Sequence, residues 1–172
     1  MAININKIIV LLAFLITISL SGCGKNSKII KNNEAEASYE HNETLPSIEA
    51  RRSVVKEAIT LIGKPYKPSG TSPREGFDCS GLAFYSYLKI GKLLPRSSKE
   101  QYQSAHKVKK IKPGDLVFFI TKIRGNHIDH VGIYIGEQKF IHAPGKGRSV
   151  ETASLTETYW KKRYKGAGSY LD

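Results

Sequence analysis

His130-Val131-Gly132-Ile133-Tyr134-Ile135-Gly136-Glu137-Gln138-Lys139-Phe140-Ile141-His142-Ala143 decides the fold. Two β-rich runs flank the polar segment Gly136-Glu137-Gln138, the pattern of an antiparallel hairpin. Pairing across that loop sets Ile133 opposite Ile141. Strand side chains alternate, so Val131, Ile133, Ile135 and Ile141 share one face, while His130 and His142 share the other. A register one residue off would split the apolar set and separate the histidines. The stretch therefore predicts a firm sheet with an aliphatic core face and two neighbouring imidazoles on its reverse.

Working outward, Pro113-Gly114 precedes a further strand over Leu116–Ile120, and weaker strand candidates lie near Val150 and Tyr170. Upstream the period changes to that of helices. Val54, Val55, Ala58, Ile59 and Ile62 recur at helical spacing over 48–62, with Ser47 as cap and Gly63 and Pro65 as stops. A second helix starts at Asp78 or Cys79, carries Leu82, Tyr85 and Leu88, and ends at Gly91. A third starts at Ser97 or Ser98, where Ser98 and Gln101 have capping-box spacing. Helices first and an antiparallel sheet afterwards give an α+β domain over 48–172.

The second helix opens on Gly76-Phe77-Asp78-Cys79-Ser80-Gly81-Leu82. A polar cap followed by a cysteine in the first turn places the sulfur among unpaired N–H groups at the positive end of a helix. That environment lowers a thiol pKa and supplies thiolate near neutral pH. Paired with a histidine on the sheet it makes a nucleophile and base, Cys79 and His130. His142 on the next strand suits the third group that fixes the base's orientation. A buried structural cysteine is the plainer reading of Cys79 alone.

Residues 1–22 read as an export signal: Lys7, an apolar run from Ile8 to Ile18, then Leu20-Ser21-Gly22 leading into Cys23. This ending resembles the bacterial lipobox, whose cysteine is acylated, and makes Cys23 the expected lipidation site. Cys79 is then left without a disulfide partner in an exported protein. Residues 23–47 are polar and apolar-poor, the composition of a flexible tether with a mean span of roughly 25–30 Å. The formal net charge is +12 and falls almost wholly within 48–172. Charge of that sign favours polyanionic surroundings. An exported lipoprotein does not meet nucleic acid, so anionic wall polymer or lipid head groups are the expected partners.

Five segments together resemble the NlpC family of papain-like cell-wall cysteine peptidases: Phe77-Asp78-Cys79-Ser80-Gly81-Leu82, Leu94-Pro95-Arg96-Ser97-Ser98, Pro113-Gly114-Asp115-Leu116, His130–Gly136, and Phe140-Ile141-His142-Ala143-Pro144. The resemblance covers about residues 55–165. Tyr159-Trp160-Lys161-Lys162-Arg163-Tyr164 is similar to the tail of its Spr-type lipoprotein members. The resemblance implies a papain-like fold with N-terminal helices packed on an antiparallel sheet, and a catalytic triad of Cys79, His130 and His142. It further implies that Tyr66 lines the site near the thiol, and that Asp78 and Ser80 shape the peptide-binding side. Tyr66 also reads as a loop aromatic over the core, Asp78 as a helix cap and Ser80 as a first-turn residue.

The implied substrate is the peptidoglycan stem peptide, cut at the diamino acid–D-Ala cross-link or at the D-Glu–diamino acid bond. The Spr-like tail favours the cross-link. A thiol amidase or acyltransferase and a non-catalytic wall-binding lipoprotein are the alternatives. No cofactor is expected, and no metal: His127-Ile128-Asp129-His130 has ligand-type residues but matches no strong zinc spacing. A monomer anchored through Cys23, outside the cytoplasm at the outer membrane or cell surface, completes the expectation.

Overall fold

The computed structural model describes residues 44–171. The expected leader, Cys23 and the tether up to residue 43 lie outside the described residues. The first helix, α1, spans Leu45–Thr60, so it begins inside the stretch read as tether. Pro46 in its first turn has the fixed φ that a helix start accepts. Thr44, not Ser47, is the N-cap residue, and the Ser47 hydroxyl instead donates to the Leu171 carbonyl at 2.8 Å.

The face that α1 buries differs from the aliphatic reading. Arg51, Val54 and Ala58 are buried, whereas Ile59 and Ile62 are about half exposed. A charged residue takes a core position because Asp115 neutralises it. The Arg51 guanidinium donates to the Asp115 carboxylate at 2.6 Å and to the Ser169 hydroxyl at 3.1 Å, with both charged side chains almost fully enclosed. Asp115 also accepts from the Lys112 N–H at 2.8 Å, so one carboxylate ties α1 to the turn before β4.

A small antiparallel pair, β1 (Thr71–Ser72) and β2 (Gly76–Phe77), precedes α2 (Cys79–Leu88). Next comes α3 (Ser98–Ser104), whose capping box is formed by Ser97 and Glu100, one residue ahead of the expected pair. Ser98 and Gln101 face inward instead. The Gln101 side-chain amide donates to the carbonyls of Ser80 and Pro95 at 3.0 and 2.9 Å, fastening α3 to the first turn of α2.

The remaining strands are β3 (His106–Val108), β4 (Leu116–Phe119), β5 (His130–Gly136), β6 (Lys139–His142), β7 (Glu151–Ser154) and β8 (Tyr164–Ser169), with α4 (Thr158–Arg163) between the last two. They form an antiparallel six-stranded sheet in the order β3-β8-β4-β5-β6-β7. Ile133 pairs with Ile141 and Tyr134 with Phe140, the register the sequence predicts. The register then shifts by one at Gly136–Lys139, because the chain reverses in two residues, Glu137 and Gln138, both at positive φ.

Both faces of this sheet are covered. Leu116, Phe118, Val131, Ile133 and Ile141 pack with Val54, Ala58, Leu61, Leu82, Ala83 and Tyr87 from the first helices. Val117, Phe119, Tyr134 and Phe140 face the other way, against Trp160 of α4. Double burial explains why Leu116–Phe119 is a continuous apolar run rather than an alternating one. The result is the expected α+β arrangement, with helices packed on an antiparallel sheet.

Candidate active site

Asp78 organises the start of α2. As N-cap its carboxylate accepts from the Gly81 N–H at 2.7 Å and from the Ser69 N–H at 2.9 Å. A Cβ on Gly81 would collide with the Gly70 carbonyl, so the glycine lets the preceding loop close over the helix end. The Arg96 guanidinium meets the same carboxylate through two bonds, at 3.0 and 2.7 Å, and donates to the Ser80 hydroxyl at 2.9 Å. Arg96 keeps 39% of its side chain exposed. Asp78 and Ser80 are thus helix-start residues tied together by Arg96. The sequence does not announce these Arg96 bonds, although Leu94–Ser98 carries part of the family resemblance. Nothing local signals that a side chain eighteen residues downstream returns to the helix cap.

Across from this helix start lies the opening of β5. The paired run of β5 and β6 begins at Ile133–Ile141, so neither histidine is held in that ladder. His130 Nε2 and His142 Nδ1 lie 2.9 Å apart with the rings nearly perpendicular. Gly132 sits between His130 and Tyr134 on this face. A Cβ there would strike the Phe140 ring, and its absence lets Phe140 lie against the sheet beside His142. Trp160 roofs the pair, stacked on His130 at 5.4 Å and edge-on to His142 at 4.8 Å. His142 is fully enclosed.

The Cys79 thiol joins the two halves. Backbone N–H groups of Val131, Ser80 and Cys79 itself bear on it and favour its anion. Burial outweighs them: it pushes the thiol up to about 11, with the nearby Asp78 carboxylate adding to the rise. The expected depression by the helix terminus is therefore not what the resting site shows. Burial likewise pushes His130 down to about 4, against an opposing pull from Asp129. It holds His142 well below its ordinary value too, with His130 and Arg148 acting in the same direction. At neutral pH Cys79 rests as a thiol and His130 as a neutral imidazole, so a proton passing between them would move in concert with bond formation rather than start from a standing ion pair.

Tyr66 packs against the core beside this group, its backbone N–H donating to the Arg148 carbonyl at 2.9 Å. Its hydroxyl pKa is raised by burial and then by the charges of Cys79 and Asp78, which puts the phenol on the thiol side of the cleft. The His127–His130 run does not converge. His127 is exposed and meets Asn126, while the Asp129 carboxylate accepts from the Thr121 and Lys122 N–H groups at 2.7 and 3.0 Å. Among the described residues no group of three or more His, Cys, Asp or Glu is set to hold a metal ion.

Comparison with known proteins identifies the family. Residues 63–169 match the model of the NlpC/P60 family. The chain is 44% identical to "Murein DD-endopeptidase MepH" of Escherichia coli (strain K12), over 69% of this chain and 45% of that protein. It is 38% identical to "Bifunctional muramidase/DL-endopeptidase CwlT" of Bacillus subtilis (strain 168), over 67% of this chain and 35% of that one. It therefore spans less than half the length of these relatives. Among solved structures, an NlpC/P60 family protein from Bacillus cereus superposes with a TM-score of 0.66 at 35% identity, covering 71% of this chain and 40% of that chain. The NlpC/p60 domain of the peptidoglycan hydrolase SagA superposes with a TM-score of 0.59 at 34% identity, covering 69% and 97%. A family match over residues 63–169, with 44% identity to one relative over 69% of the chain, means that the chain belongs to the NlpC/P60 family.

Proposed function

We propose that this chain is a lipid-anchored cysteine endopeptidase of the bacterial cell wall that cuts the cross-link between the diamino acid of one stem peptide and the D-Ala of another. The observation that carries this reading is the Cys79 thiol beside the Val131 N–H, next to the His130–His142 pair. The ring nitrogen of His130 that His142 leaves unused, Nδ1, takes the thiol proton as sulfur attacks the peptide carbonyl carbon. N–H groups of Cys79, Ser80 and Val131 are the donors available to the oxyanion. Collapse breaks the C–N bond, and His130 returns its proton to the leaving amine. Water then attacks the thioester with His130 as base, releasing the acid and restoring the thiol.

Arg96 and Tyr66 suit recognition of a carboxylate-rich stem peptide, since the guanidinium is half open to solvent beside the nucleophile. The likeness to a murein DD-endopeptidase supports the cross-link as target. Acylation of Cys23 would hold the domain at a membrane, and the net charge of +12 suits an anionic wall.

Digestion of purified cross-linked peptidoglycan, read by mass beside a Cys79→Ala control, tests the reading. Dimers converted to monomers by the native chain alone are expected. Stems shortened after D-Glu would keep the mechanism and move the bond. Released glycan free of peptide would mean an amidase, and unchanged wall with an inert thiol would mean a binding protein.

A further inference from the structure

We infer that Glu151 is a positioning residue at the outer end of the histidine pair, fixing the tautomers of His142 and His130 so that His130 offers an unprotonated Nδ1 to Cys79. The inference rests on the reading of Cys79 and His130 as nucleophile and base.

A hydrogen bond between two neutral imidazoles can run either way. If His142 carries its proton on Nε2, its Nδ1 accepts from His130 Nε2–H, and His130 Nδ1 keeps a lone pair for the thiol proton. In the other arrangement His142 Nδ1–H donates, His130 is protonated on Nδ1, and the base faces the nucleophile with the wrong tautomer. The 2.9 Å contact fits both. What decides is the far nitrogen, His142 Nε2, which is buried with no hydrogen-bond partner among the described residues. A lone pair or an N–H left bare in a dry site is costly, and the two are distinguished by the nearest charge.

That charge is Glu151. It lies on β7 directly opposite His142 in the ladder, and its Oε1 is 3.7 Å from His142 Nε2. An anionic acceptor at that distance favours Nε2–H, and a small side-chain rotation closes the bond. Arg148 pairs with the same carboxylate. The groups facing His142 are His130 from β5, Glu151 from β7, Arg148 from the preceding loop and the uncharged Trp160 from α4. Glu151 is the one anion in that set. It also lines a polar cavity with Arg148, Glu157 and Tyr159, so the carboxylate is reached by solvent on its outer side.

Nitrogen-15 NMR of the imidazoles in the full chain, solubilised in detergent, reads the tautomers directly. In the native chain both histidines are expected as Nε2–H. In Glu151→Ala the Nδ1–H form of both should grow, and the rate of Cys79 alkylation by iodoacetamide at neutral pH should fall roughly 10- to 100-fold. Glu151→Gln keeps an acceptor oxygen and should retain the native tautomers and most of the rate. If the alanine variant folds poorly, the native chain decides alone: histidines found there in the Nδ1–H form overturn the inference. Native tautomers in both variants would overturn the inference, even if the native chain cleaves peptidoglycan. Tautomers that switch in a chain inert toward peptidoglycan would uphold it while sinking the proposed substrate.

Discussion

The two faces of the sheet are built from the same strands and do different work. Toward α1 and α2 the residues are mainly aliphatic, and the Arg51–Asp115 pair closes the layer with its charges cancelled. Toward α4 the face is aromatic, and it encloses two imidazoles with one ring nitrogen unsatisfied. Aliphatic packing is non-directional and serves cohesion. Flat rings with polar edges fix the angle of a neighbouring imidazole, as Trp160 does for both histidines. Alternation along each strand is thus a division between holding the molecule together and aiming its chemistry.

Asp115→Ala is expected to break that division most severely on the cohesive side. It leaves the Arg51 guanidinium buried without its anion and should lower the unfolding free energy by about 3–5 kcal/mol in urea titration, while folded molecules keep their kcat/KM. Acid should act on the aromatic side instead. His130 titrates near 4 in the fold against an ordinary value of 6.5, so its neutral form is the stabilising one. That contribution is complete above about 6.5 and is lost as pH falls toward 4, a loss on the order of 3 kcal/mol in a Tm-against-pH series. His130→Gln should make this acid limb shallower, leaving the part that buried His142 supplies. The smallest effect is expected from Trp160→Phe, which keeps an aromatic roof but loses the stack on His130. Stability should fall by about 1 kcal/mol, and kcat should drop several-fold with KM nearly constant.

Much of this was legible in the chain. The hairpin register followed from period-two alternation, which buries four aliphatic residues only one way, and so the histidine pair followed too. The Asp78 cap and the cysteine of the first turn were equally local signals. What escaped the sequence is what depends on distant partners. Arg51 reads as a solvated residue until Asp115 is placed against it, which is why Ile59 and Ile62 were expected inside. Arg96 and Glu151 belong to the site through loops and ladder pairing that no periodicity encodes. The short elements β3 and α4 carry too few residues for a period to be seen. The raised thiol pKa was missed for a related reason: helix-end stabilisation is visible in sequence, whereas desolvation is a property of the finished fold.

That neutral thiol has a consequence for the lifetime of the protein. Peroxide and other oxidants attack thiolates, converting them first to sulfenic acid and then to forms that are not recovered. With its proton held to about pH 11, unpaired Cys79 presents almost no thiolate to them between turnovers. In the proposed mechanism the sulfur becomes a strong nucleophile only as His130 takes its proton. The same burial that keeps the thiol protonated thus slows its oxidation.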